Sequence, residues 1–214
     1  GWRGPGGMMC PRAWLYSWLA LTAFQLLLVF LAPVVLMPLF NRFSPLSEGP
    51  LKQAIEAYAQ TQNFRLKGVF TMDGSKRSTK ANAFFTGFGP FRRLVLFDTL
   101  VSKHSVEELT AVVAHEIGHF KRGHIIKSMG LSIGVSGLMF YAMSFFLLHP
   151  PIFEAFKMDH LSIYAGLVFT VFLYGPIMRL FSVVTQKMSR QFEFEADDYA
   201  IRTYGKPEQL MNCP

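Results

Sequence analysis

Between Ala13 and Phe40 the chain carries no charged residue, and about 20 apolar residues in a helix suffice to cross a hydrocarbon core. Two further runs repeat the pattern. Ser128–His149 is uncharged, and Leu161–Met178 is uncharged before continuing at helical spacing through Phe181, Val184, Met188 and Phe192 towards Tyr204. Trp14, Tyr16 and Trp18 stand at the first end of the first run, as an interfacial aromatic belt would. Pro33 and Pro38 mark a kinked or ending helix at its other end. A cleavable signal peptide is a poorer reading, because the run is too long and lacks a small-residue cleavage site. The second run contains Gly130, Gly134 and Gly137 with Ser132 and Ser136, a small-residue face suited to close helix packing in lipid.

Composition supports the same reading. Hydrophobic residues make up 51% of the 214-residue chain and charged residues 16%, where a soluble domain carries about a quarter charged residues. Disordered chains are polar and charge-rich, so disorder is excluded. The net charge of +7 does not point to nucleic acid: there is no zinc knuckle, glycine-rich phosphate loop or basic stripe interleaved with aromatics. The two cysteines, Cys10 and Cys213, form neither a CxxC pair nor a disulfide framework.

Between the first two runs lies a polar segment, Asn41–Lys127. Pro50–Gln60 has helical composition, and Val69–Met72 followed by Asp73-Gly74 reads as a strand and turn. Asn82–Thr86 and Leu94–Phe97, separated by Gly87, Gly89 and Pro90, predict a β-hairpin. Ser105 and Glu108 form an S-x-x-E capping box. The helix it opens carries Val106, Leu109, Val113, Ile117 and Phe120 on one stripe. The expected fold is therefore mainly α, with about three transmembrane helices (Ala13–Phe40, Ser128–His149 and the start of Leu161–Tyr204) and a small α+β segment. Three spans put Asn41–Lys127 and the stretch after Arg179 on one side. That side has Arg42, Lys121, Arg122, Lys127, Arg179, Lys187 and Arg190 near span ends, against Arg3, Arg12 and Lys157 on the other. The bias predicts a cytoplasmic polar segment.

The capped helix carries His115-Glu116-Ile117-Gly118-His119, an H-E-x-x-H motif. Four residues is about one turn, so both imidazoles project from one face and can bind a single Zn²⁺. Glu116, one step round, is placed to act as general base on a metal-activated water. Zinc catalysis needs a third protein ligand and an open position. His124 lies five residues past His119, about 140° round a continuous helix, and reads as an interfacial histidine where the second span begins. Downstream, Glu193 and Asp197 in Arg190–Asp197 are four apart on one helix face, while Glu195 points elsewhere. One of that pair is placed to ligate zinc and the other to hold a ligand histidine by its second ring nitrogen.

H-E-x-x-H followed by E-x-x-x-D on a helix leaving an apolar run resembles the type I CaaX prenyl endopeptidases, membrane zinc metallopeptidases related to the HtpX-like proteases. The likeness extends through LFNRFSPLSEGPLKQAI (Leu39–Ile55), DGSKRSTKANAFFTGFG (Asp73–Gly89), RLVLFDTL (Arg93–Leu100), ELTAVVAHEIGHFKRGHI (Glu108–Ile126) and SRQFEFEADDYA (Ser189–Ala200). It implies a zincin-like catalytic segment holding one Zn²⁺ per chain. His115, His119 and Glu193 would be the ligands, Glu116 the catalytic base and Asp197 the partner of a ligand histidine. It also implies that Asn82, Ala83 and Phe84 lie on a strand that pairs with an extended peptide or protein substrate, taken from the bilayer or its surface. The activity implied is CaaX-type C-terminal processing or membrane-protein quality control. Relative to the family's pattern of about seven spans, the further spans that normally precede the Leu39 segment and a later segment with a histidine and an arginine are absent, so the chain looks truncated at both ends. The alternative is thus an inactive or truncated metal-binding membrane protein acting as an interaction or chaperone-like module. A site-2-type intramembrane protease would place H-E-x-x-H inside an apolar run, whereas Glu107, Glu108, Lys121 and Arg122 flank it here.

Overall fold

A computed structural model describes residues 12–73, 82–86, 92–148 and 163–205. The Asp73-Gly74 turn, most of the DGSKRST run, the Gly87–Pro90 turn, both cysteines and the first residues of the Leu161 run lie wholly or partly outside these. The described part is mostly helical with one small mixed sheet. The chain divides into two compact units, one made of residues 1–27 and 126–188, the other of residues 28–125 and 189–214.

In the first unit, α1 (Ala13–Leu31) and α6 (His124–Leu148) contain the two stretches long and apolar enough to cross a membrane among the described residues, Ala13–Leu31 and His124–Phe145. Neither buries its apolar residues inside the protein. Trp14 and Trp18 turn onto α6: Trp18 Nε1 donates to the Ile133 carbonyl and to Ser136 Oγ, both at 3.2 Å, and Trp14 packs edge-on against Tyr141. Tyr16 faces outward. Of the small-residue stripe, Gly137 makes the close approach, since a Cβ there would sit 3.0 Å from the Trp18 ring. Gly130 and Gly134 meet nothing within 4 Å. The third expected span falls on α7 (Ile163–Tyr204), one continuous helix that contains Pro176.

Helical structure continues past Leu31 through a π-helical turn, Ala32–Leu36, into α2 (Met37–Phe40). Pro33 and Pro38 therefore do not end the helix. A proline ring crowds the carbonyl four residues back, and the wider turn, closed by the Met37 N–H donating to the Ala32 carbonyl, relieves that crowding.

The second unit holds a four-stranded sheet of β1 (Phe43–Pro45), β2 (Gly68–Met72), β3 (Ala83–Thr86) and β4 (Arg93–Phe97) in the order β1-β2-β4-β3. β3 and β4 pair antiparallel with Ala83 opposite Leu96, the expected hairpin. β4 also runs parallel to β2, and β1 adds antiparallel to β2. Among the described residues β3 is thus an edge strand.

Three helices cover the sheet: α3 (Pro50–Thr61), α4 (Asp98–Lys103) and α5 (Val106–Lys121). Their apolar faces meet it through Ile55, Leu94, Leu96, Leu109, Val113 and Ile117, all buried. α5 starts where the capping box predicts, Glu108 N donating to Ser105 Oγ and Ser105 N to the Glu108 carboxylate. The last turns of α7 are tied to α3 and the residue after it by the Tyr58–Thr203 hydroxyl pair at 2.6 Å and by Tyr199 Oη donating to Gln62 Oε1 at 2.8 Å. Those ties fix the rotation of the helix that bears the downstream acidic motif.

Candidate metal centre

α5 presents His115 and His119 one turn apart, and α7 crosses beside them. The crossing is close because small residues line it: Gly118 is buried on α5, while Ala196 and Ala200 on α7 are fully buried. Across it, Glu193 and Asp197 reach the same histidine from successive turns of α7. His115 Nδ1 donates to Asp197 Oδ1 at 2.8 Å, while His115 Nε2 lies 3.3 Å from Glu193 Oε2. The two histidine Nε2 atoms stand 3.0 Å apart, and His119 Nε2 is 3.5 Å from Glu193 Oε2.

The spacing of these three atoms suits a metal. Two ligand atoms at about 2.0–2.1 Å from a tetrahedral zinc stand about 3.3–3.4 Å apart, close to the observed edges. The donor chemistry suits it too. A carboxylate only accepts, so Asp197 fixes the His115 proton on Nδ1 and leaves Nε2 with a free lone pair. Burial holds the His119 imidazole below its ordinary pKa, the His115 ring pushes the same way, and the Glu193 carboxylate partly opposes both. A neutral imidazole is the form that ligates. His115, His119 and Glu193 are thus brought together as a His-His-Glu cluster.

Glu116 follows His115 on α5. Burial drives its carboxyl up to about 7, opposed by His115 and reinforced by the Glu193 charge. Ala83 and Phe84 open β3, which packs against α5, and Asn82 immediately precedes it. Ala83 is buried, Asn82 Oδ1 accepts from the Ala83 N–H at 2.9 Å, and Phe84 packs edge-on against Phe97. The outer side of β3 has no neighbouring strand among the described residues.

His124 is where sequence reasoning and structure part. It is not an interfacial side chain but a buried one, 3% exposed. α5 ends at Lys121 and Gly123 takes φ +67°, a conformation in which glycine pays no Cβ penalty. The chain turns there and returns the His124 ring to α5, so the angle counted along an unbroken helix does not apply. His124 Nδ1 lies 2.9 Å from His119 Nδ1, and His124 Nε2 lies 3.1 Å from Glu195 Oε2. Glu195, as expected, points away from the Glu193–Asp197 face. The readable signal was Lys121-Arg122-Gly123, basic residues followed by glycine at a helix end.

Comparison with known proteins identifies the family. The sequence profile of peptidase family M48 matches residues 45–212. Relatives include a CAAX prenyl protease 1 homolog of Dictyostelium discoideum, 38% identical over 195 residues covering 89% of this chain and 46% of the relative. CAAX prenyl protease 1 of Saccharomyces cerevisiae is 37% identical, covering 86% and 44%, and the Homo sapiens homolog is 32% identical, covering 93% and 50%. The crystal structure of S. mikatae Ste24p superimposes with a TM-score of 0.79 at 34% identity, over 92% of this chain and 49% of that one. The chain spans about half the length of the curated relatives it matches.

Proposed function

The chain belongs to peptidase family M48, and from that membership we propose that it is a zinc-dependent membrane endopeptidase. The observation that carries the proposal is the convergence of His115 Nε2, His119 Nε2 and Glu193 Oε2 to within 3.0–3.5 Å of one another. Zinc held by these three would supply Lewis acidity towards a peptide carbonyl and a water molecule. The remaining steps belong to the chain. Asp197 keeps the His115 ring in one tautomer and orientation. β3, with Asn82 just before it and Ala83 and Phe84 at its start, is the sheet edge to which an extended substrate would add, strand addition holding it in register. Glu116 takes the proton from the attacking water on a carboxylate oxygen and returns it to the leaving amine nitrogen.

Substrate class follows the relatives' names: a protein with a C-terminal CaaX sequence, processed at the membrane. The stretches Ala13–Leu31 and His124–Phe145 support membrane integration, with the first part of α7 as a third span. The basic residues at the span ends support a cytoplasmic metal centre. The test is cleavage of a farnesylated CaaX peptide by the zinc-loaded chain in detergent, with Glu116→Gln as control. Cleavage abolished by Glu116→Gln is the expected result. Stoichiometric zinc without cleavage would instead support the second reading, a metal-binding interaction or chaperone-like module.

A further inference from the structure

The Asp197–His115 pair accounts for one ligand histidine and leaves the other to be oriented. To offer Nε2 to a metal, His119 must carry its proton on Nδ1, and that N–H needs an acceptor. The atom facing it at 2.9 Å is His124 Nδ1. Two ring nitrogens bond only when one bears the hydrogen and the other the lone pair, so His124 Nδ1 must be bare and its proton must sit on Nε2. That N–H faces Glu195 Oε2 at 3.1 Å, a carboxylate that only accepts. The other Glu195 oxygen, Oε1, accepts from Gln191 Nε2 at 2.9 Å. Every proton position from Glu195 to His119 is thereby set in one direction. The ring plane is set as well: Phe192 stacks on His124 with centroids 4.3 Å apart and planes inclined by 11°.

We propose that His124, anchored by Glu195 and Phe192, is a positioning residue that fixes the tautomer and orientation of His119 for metal binding. This rests on the reading of His119 as a metal ligand. α7 then serves both histidines from two faces, Glu193 and Asp197 reaching His115, Phe192 and Glu195 gripping His124. His124 itself does not ligate, because it occupies the ring nitrogen of His119 opposite to the one that faces Glu193.

The test uses the full chain in detergent and zinc alone as the probe. Zinc affinity is measured by competition with a chelating dye for wild type, His124→Phe and His124→Asn, beside the visible spectrum of the cobalt-substituted forms and apo-protein melting. His124→Phe keeps a buried ring against Phe192 but removes the acceptor, and zinc affinity is expected to fall roughly 10- to 100-fold with a changed cobalt spectrum and unchanged apo melting. His124→Asn restores an acceptor and recovers most of the affinity. Wild-type affinity in His124→Phe overturns the proposal, and so does a loss that His124→Asn fails to recover. Should His124→Phe not fold, Glu195→Ala decides: weakened zinc affinity with one ion still bound at saturation supports the chain of bonds, and unchanged affinity overturns it. A wild type that binds no zinc would overturn the metal site itself and this role with it, whereas the other outcomes leave the metal site standing.

Discussion

Gly118 lies so close to Ala196 that a Cβ on it would sit 3.1 Å from the Ala196 Cα and carbonyl oxygen, and 3.2 Å from the Tyr199 Cβ. Two of these atoms are backbone and the third is a Cβ, none the far end of a flexible side chain, so α7 itself would have to give by a few tenths of an ångström. Overpacking of this kind costs about 1–3 kcal/mol. Gly118→Ala is expected to destabilise the apo protein by that order and to weaken zinc binding, because the displaced helix carries Glu193. Melting of the apo chain and a zinc titration measure the two effects. Wild-type zinc affinity in Gly118→Ala would mean that the close crossing does not set the ligand geometry.

The carboxylates of the acidic motif should separate cleanly. Zinc per chain, measured in detergent at saturating metal, is expected near one for wild type and Glu195→Ala, and near zero for Glu193→Ala. On the proposed ligand set, removing Glu193 leaves two imidazoles, fewer than a zinc site requires, whereas Glu195 touches the centre only through His124. Loss of metal in Glu195→Ala with retention in Glu193→Ala would reverse the assignment.

What could be read beforehand was local. The start of α5, its apolar stripe and the i,i+4 placement of His115 and His119 depend on neighbours within a turn or two, and all appear in the structure. The β3–β4 pairing was equally near in sequence. The sheet order was not: β1 is three residues long, with Ser44 and Pro45 giving no alternating pattern, and the parallel pairing of β2 with β4 is decided by the core rather than by either strand. His124 lies beyond such local reading for a related reason. Counting degrees along a helix holds only while the helix continues, and Gly123 breaks it one residue before His124. The partners it reaches, Phe192 and Glu195, lie about seventy residues downstream, where no periodicity argument extends.

Asp197 accepts from His115 Nδ1, on the side of the ring away from Nε2, the nitrogen proposed to hold the metal. Removing such a partner typically weakens metal binding roughly 10- to 100-fold. Asp197→Ala is expected to do so, and Asp197→Asn, whose amide oxygen still accepts the Nδ1 proton, to lose less. Competition with a chelating dye would rank the three proteins. Equal affinity of Asp197→Ala and wild type would show that packing alone orients His115.

The capping box at the start of α5 gives a prediction independent of metal. Loss of the Ser105 hydroxyl in Ser105→Ala should cost about 1 kcal/mol, read as a lower melting temperature of the apo chain. Its partner adds a pH dependence. The Ser105 backbone N–H, with smaller help from the Ser105 hydroxyl and His104, holds the Glu108 carboxyl below its ordinary range. A carboxyl whose folded pKa is depressed binds fewer protons in the folded state, so its stabilisation is complete above the unfolded value. That stabilisation is lost as pH falls through the depressed one. Melting of the apo protein should therefore decline on the acid side of the ordinary glutamate range more steeply in wild type than in Glu108→Gln. Parallel acid limbs for the two proteins would show that the Glu108 charge contributes nothing to the helix start.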